Sequence, residues 1–377
     1  LETGAANLSA RTLFTPEKEI GEMMRQVIAH EIGHALGLPH NMKASSAYPV
    51  DSLRSGSFTQ KFGIATTIMD YARYNYVAQP GDENIRFIRQ LGPYDDYSIE
   101  WGYRFFGKSP EEEKKILKNF VDEKSLNPVY MFGGYGNDPN SQTENIGDDP
   151  VKASMYGISN LKIVAKNLEE WTTEAKENYS ELDELYGELI GVYRRYIYHV
   201  LNLVGGIYDT PHNENQKGVV RYVSVDIDKQ IEALKFMETN LWNTQEWLMD
   251  KSLISQIKAE GVLGSLQSLQ LSAFNRILSV SKLNRMLSAG ESLKGNPLSV
   301  EGLIDNLFET IVKNPENPDL SEQRLQIHFI QRIDELMSEE KLNPSIKSFL
   351  LDTKNKIHKL AKRGGGPHYK YLKSISE

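Results

Sequence analysis

Within the stretch HEIGHALGLPHN, running from His30 to Asn41, three histidines and one glutamate stand on a small, apolar background. Residues four apart project from the same face of a helix, so the imidazoles of His30 and His34 can reach one ion. Glu31 then lies beside that ion, placed to take a proton from water acidified by the cation. Gly37 permits the chain to leave the helix with a positive φ, and the turn returns His40 as a third ligand. Three protein ligands leave a fourth position for water, the catalytic arrangement for zinc. The bare HExxH pattern occurs by chance in helical proteins, whereas HExxHxxGxxH requires further positions to agree and is far more specific. The alternative is that these histidines are ordinary hydrogen-bonded members of a buried helix. On either reading Ile32, Ala35 and Leu36 are expected to bury the helix while its polar face points to a cleft.

The positioning elements follow from periodicity. Residues 16 to 37 read as a helix with Thr15 as N-cap and Pro16 in the first turn, because Met23, Met24, Val27, Ile28, Ile32, Ala35 and Leu36 recur at helical spacing. Residues 41 to 62, rich in Ser, Pro, Gly and Tyr, read as a long irregular segment. A short helix is expected from Tyr94 to Tyr103. Ser109, Pro110 and Glu112 form a capping box that opens another helix, and the domain boundary is placed there. The expected division is 1–108, bearing the histidine motif, and 109–377, a helical domain with a loop at 127–150. In that second part the apolar stripe from Leu168 to Val204 reads as one long helix, including a Glu/Lys-rich solvated face over 168–185. Further helices are expected near 225–240, 251–288, 299–313, 320–339 and 343–362, and KRGGGPH is expected to loosen the C-terminal tail. The fold class is therefore mainly α.

Composition narrows the function. The 377 residues are 40% hydrophobic and 25% charged, enough for two domains with real cores. The net charge is -8 and Lys and Arg form no long block, which argues against nucleic acid as a partner. The absence of cysteine removes disulfides, thiolate ligands and cysteine nucleophiles, so a metal must be held by imidazole, carboxylate or phenolate. No apolar run approaches the length of a transmembrane segment. The opening LETGAANLSARTLF has neither an initiator methionine nor a signal pattern and reads as an internal fragment or a processed form.

Weaker signals lie elsewhere. Asp138, Asn140, Glu144, Asn145, Asp148 and Asp149 offer hard oxygen donors for Ca2+, although their spacing matches no EF-hand, and a solvated loop with capping carboxylates is the competing reading. Arg54, Arg73 and Arg104 lie in segments near the motif and could hold a substrate carboxylate. Pairing with Asp51, Asp70, Asp95 or Asp96 is the more ordinary use for them. His199 sits on the long apolar stripe as a hydrogen-bonded core or flank residue, and His212, His328, His358 and His368 are too scattered to suggest a second metal. No histidine is placed to serve a serine triad, and no Gly-rich phosphate loop follows a strand.

HEIGHALGLPH followed by TIMDY resembles the metzincin zinc endopeptidases, in which a methionine-containing turn lies beneath the metal. Met69 matches the Met-turn methionine, a packing floor and not a ligand; a plain core methionine is the alternative. Tyr71 matches the position at which astacin-like and serralysin-like members carry a tyrosine that binds the metal and swings away to stabilise the oxyanion. A role lining the substrate pocket stays open for it. The longer run from HNMKASSAYPVDSLRSGSF through LGPYDDYSIEWGYR, with GDDPVKASMYGISNL, is similar to a bacterial metzincin-like group of large exported proteins with a helical C-terminal part. That resemblance implies the C-terminal half of a metzincin catalytic domain (zinc helix, Met-turn, following helix) plus a multi-helix domain, and an exported, secreted or cell-surface location. Metzincins also place a twisted sheet and a helix before the zinc helix. Only 29 residues precede His30, so the chain is expected to be the C-terminal portion of a longer protein.

The expected activity is zinc-dependent hydrolysis of peptide bonds in a peptide or protein substrate. His30, His34 and His40 hold Zn2+, Glu31 is the general base, and Tyr71 assists the tetrahedral intermediate. Two rivals remain: a metal-dependent hydrolase of non-peptide amides, and a helical partner-binding scaffold attached to an incomplete protease half.

Overall fold

The computed structural model describes residues 1–12, 15–134, 136–172, 179–313 and 318–377. They gather into two compact units, Leu1–His199 with Ile207–Tyr222, and Val200–Gly206 with Val223–Glu377. The chain is mainly α. Among the described residues the only strands are Ile207–Asp209 and Tyr222–Ser224, of three residues each.

In the first unit, α1 (Glu17–Ala35) carries the motif. Its start lies one residue later than the sequence suggests: Pro16 is the cap residue, no side chain bonds the first turn, and Glu17 and Glu19 face the positive end of the helix dipole instead. Its end is a Schellman closure, with Leu38 N–H donating to Gly33 O at 3.0 Å and Gly37 N–H to His34 O at 2.9 Å. Gly37 has φ 84°, the left-handed conformation this closure needs. The apolar stripe of α1 does not bury it as expected. Ile32 is 54% exposed, Leu36 40% and Ala35 is exposed, while His30 and Gly33 are the helix's buried residues. The physical reason is close approach at Gly33, where an added Cβ would overlap the sulfur of Met69. The inward face is thus the one that lacks a side chain, not the one richest in apolar carbon.

The segment expected to be irregular holds 3-10 turns at Ala44–Ala47 and Ser52–Arg54 and a two-turn helix, α2 (Gly56–Phe62). Ser55 caps α2 and Gly63, at φ 73°, ends it, a span too short to show a period. Next come α3 (Pro93–Tyr103) and α4 (Pro110–Lys124), the latter opened by the expected reciprocal capping box of Ser109 and Glu112. Residues after 108 then close around the motif-bearing segment. Asn41 Nδ2 donates to Met131 O at 2.9 Å, Lys43 pairs with Asp138 at 2.7 Å, and Asn160 Nδ2 donates to Tyr76 O and Ala78 O. The first compact unit consequently runs far beyond the division drawn at residue 108. The stripe read as one helix is carried by α5 (Pro150–Thr172) and α6 (Ser180–Leu201); residues 173–178 of it lie outside the described residues. The core of this unit includes Met42, Leu53, Ile64, Met69, Tyr76, Ile146, Leu161, Tyr186 and Tyr193.

Apart from Val223 and Ser224 of the second strand, the regular elements of the second unit are helical. It comprises α7 (Ile227–Met237), running on as a π-turn to Trp242, then α8 (Lys251–Ile257), α9 (Leu263–Ile277) and α10 (Val280–Ser292). α11 (Val300–Leu307), α12 (Leu320–Ser338) and α13 (Pro344–Ala361) follow. The tail expected to be loose is instead α14 (Gly366–Ile375), whose Leu372 is fully buried. Phe274 packs edge-to-face on Phe329 at 5.1 Å, with Ile333, Ile346 and Leu350 buried as well.

Candidate metal centre

α1 presents His30 and His34 one turn apart, and the turn at Gly37 swings His40 back over them. One ring nitrogen of each of the three lies within 4.8 Å of the others, the one such cluster of His and acidic groups among the described residues. His30 Nδ1 is 2.8 Å from Ile68 O, and His34 Nδ1 is 2.9 Å from Leu38 O. A carbonyl oxygen only accepts, so both Nδ1 atoms carry the proton and both Nε2 atoms present a lone pair. Those lone pairs meet His40: its Nε2 is 3.3 Å from that of His30 and 2.9 Å from that of His34.

This donor set fits a divalent metal. A single N–H on His40 Nε2 can satisfy only one of the two facing lone pairs, whereas a cation satisfies all three nitrogens together. Tetrahedral zinc at about 2.0–2.1 Å from each ligand calls for nitrogens roughly 3.3 Å apart, close to the spacing seen. Burial lowers the pKa of His30 and of His40, and the negative charge of Glu31 opposes that shift at both rings. Neutral imidazole is the form that ligates.

The floor under the histidines is the 66–70 turn. Met69 is buried with its sulfur against Gly33, between the turns that bear His30 and His34. Its backbone carbonyl accepts from Asn41 N–H at 3.2 Å, which ties the turn to the residue after His40. Tyr71 leaves this turn with its ring stacked on His30 at 5.4 Å and tilted on His40 at 4.2 Å. Glu31 is solvent-exposed on α1.

Other groups organise the turn, and sequence reasoning missed their role. Asp95, near the start of α3, accepts from Ile68 N–H at 2.9 Å, from Gly92 N–H at 2.8 Å and from the Thr67 hydroxyl. The Thr67 oxygen in turn accepts from Met69 N–H at 2.9 Å. Asp70 is fully buried and accepts from Ser45 N–H; burial pushes its carboxyl up to about 7. Thr67 and Asp70 flank Met69 within TIMDY, but Asp95 lies 24 residues beyond Tyr71, and no local pattern marks it as their partner.

Among the described residues the acidic loop forms no cluster of carboxylates that could hold a cation, and its acids are engaged elsewhere. Asp138 holds Lys43, Glu144 holds Arg73 and Arg195, Asp148 accepts from Val50 N–H, and Asp149 caps α5. Arg54, Arg73 and Arg104 are paired, but with other acids than expected. Arg54 grips Asp82 with two bonds, Arg73 holds Glu2 and Glu144, and Arg104 holds Glu100. Asp51 binds Lys152 instead. His199 is buried and bonds Thr143 O at 2.9 Å; His328, His358 and His368 each bond a separate side chain.

A family model described as Met-zincin matches residues 13–319, and the chain belongs to that family of metzincin-like zinc metallopeptidases. No curated protein and no solved structure matches the chain.

Proposed function

We propose that the protein is a zinc endopeptidase in which His30, His34 and His40 hold the metal and Glu31 and Tyr71 do the proton and charge work. The observation that carries this reading is the convergence of one ring nitrogen from each of three histidines, with the Nε2 lone pairs of His30 and His34 set by carbonyls on their Nδ1 atoms and Glu31 next to His30 on α1. Zinc bound there would supply Lewis acidity, polarising a carbonyl and acidifying water. The Ile68 and Leu38 carbonyls hold the His30 and His34 rings in the ligating tautomer. Glu31 accepts a proton from the attacking water on a carboxylate oxygen and returns it to the leaving amine nitrogen. The Tyr71 phenol, whose ring rests on two of the imidazoles, donates to the oxyanion that develops on the scissile carbonyl. Met69 fixes the height of α1 over the turn.

Hydrolysis of a peptide, and not of a simple amide, is supported by the family membership. The test is incubation of the zinc-loaded chain with a quenched fluorescent peptide library and with a set of aryl amides. Peptide cleavage abolished by a chelator and restored by Zn2+ is the expected result; turnover of aryl amides alone would replace this reading with the non-peptide one. The resemblance to exported bacterial proteins supports an exported location, tested by cell fractionation. No helix among the described residues is long and apolar enough to cross a membrane.

A further inference from the structure

A cavity of about 270 Å³ opens beside Tyr71, lined among others by Gln26, Arg73, Tyr74, Arg89 and Glu144. It adjoins the metal centre, since the ring of Tyr71 rests on His30 and His40. Arg89 is fastened to the same place. Its Nη1 donates at 3.0 Å to Ile68 O, the carbonyl that also receives His30 Nδ1, and its backbone N–H donates at 2.9 Å to Gln26 Oε1 on α1.

The charges around this cavity do not cancel in pairs. Arg73 is neutralised by Glu2 and Glu144, and Glu144 also holds Arg195. No ion pair serves Arg89 among the described residues, its Nε is buried without a partner, and Asp70 acts on it only at longer range. Asp70 spends one oxygen on Ser45 N–H, and burial holds it partly protonated near neutrality, so it compensates Arg89 incompletely. A guanidinium that is largely withdrawn from water and lacks a carboxylate is an expensive group to keep. Against that cost it offers a donor suited to a planar oxyanion, carboxylate or phosphate, and of the two a peptide supplies the carboxylate.

We infer that this cavity receives a carboxylate of the substrate and that Arg89 is the residue that pairs with it. The inference rests on the peptidase reading for what the carboxylate belongs to: an acidic side chain close to the scissile bond, or the C-terminal carboxylate of a peptide cut near its end.

The experiment is a binding comparison that does not require turnover. Zinc-loaded Glu31→Gln protein is titrated with fluorescent peptides in matched pairs: Glu against Gln at each position of an amidated peptide, and free acid against amide at the C-terminus of a neutral peptide. Roughly tenfold or greater preference for a carboxylate in one series is expected, and the series that shows it identifies the source. In Arg89→Gln the preference should shrink to near unity, in Arg89→Lys it should survive in weakened form, and in Arg89→Glu it should turn toward a Lys-containing peptide. Equal binding across both series of the Arg89 protein overturns the inference, and that result needs no Arg89 variant to fold. A preference that persists unchanged in Arg89→Gln overturns the residue assignment. Carboxylate preference in binding, combined with no cleavage by the Glu31 protein, would leave the cavity's assignment standing and remove the peptidase reading.

Discussion

His30 Nδ1 and the carbonyl oxygen of Ile68 are 2.8 Å apart, and this contact joins the helix that carries two of the histidines to the turn that runs beneath them. The carbonyl is itself held in place. Ile68 N–H and the Thr67 hydroxyl both end on Asp95, and Met69 N–H ends on Thr67. A peptide plane clamped at its N–H is oriented at its C=O through the rigid backbone, so Asp95 acts on His30 through the turn.

Asp95→Asn should therefore weaken zinc binding by about 10–100-fold while the far-UV circular dichroism stays helical. Competition with a chromophoric chelator measures the affinity, and the cobalt-substituted protein should show an altered d–d spectrum. A purely structural role for Asp95 would lower the melting temperature and leave both readouts at their wild-type values below the transition.

Gly33→Ala tests the floor of the site. A methyl group there overlaps the Met69 sulfur, so either α1 lifts or Met69 turns aside. Overpacking of this kind costs about 1–3 kcal/mol. Urea denaturation should show that loss together with reduced zinc affinity, and Met69→Ala in the same chain should restore part of both. Wild-type stability in Gly33→Ala would mean that α1 and the turn do not meet as described.

Much of the centre was legible because its chemistry is local in sequence. The spacing of His30, His34, Gly37 and His40 encodes a helical face, a left-handed closure and a returning third imidazole within a few residues, and TIMDY holds Met69 and Tyr71. Long-range partners left no such trace. Asp95 and Arg89 are ordinary residue types, brought to the site by the start of α3 and by the loop before it. The burial of α1 was misread because a hydrophobic stripe signals what a helix can bury, while the close approach at Gly33 decided which face turns inward. α2 and α14 were missed because two or three turns beside Gly and Pro show little period, and the acidic loop misled because ion pairs with Lys43, Arg73 and Arg195 are invisible until the chain folds.

Glu31→Gln addresses the proton transfer. Glu31 is exposed on α1 and is not among the three residues whose ring nitrogens converge, so its amide should leave zinc stoichiometry unchanged and lower kcat by about 10²–10⁴-fold. Undiminished cleavage by this variant would assign the base elsewhere.

Lys282 gives the second unit a pH signature. Its amine is buried, donates to Leu201 O and Val204 O, and has its pKa lowered to about 7 by burial. The folded state thus binds this proton less readily than the unfolded state, so stability is lost as pH falls and is regained between pH 7 and the ordinary lysine value. Relative to Lys282→Met, the wild type should gain up to about 1.4 kcal/mol per pH unit above pH 7. Parallel stability-versus-pH curves for the two proteins would contradict the buried neutral amine.

The most direct measurement is anomalous diffraction at the zinc edge from crystals grown with Zn2+. One peak about 2.0–2.1 Å from the Nε2 atoms of His30, His34 and His40 together, with His30 Nδ1 still on Ile68 O, is the predicted result. Crystals of intact protein with no peak among these rings, or with the imidazoles turned to bond one another, would contradict the account.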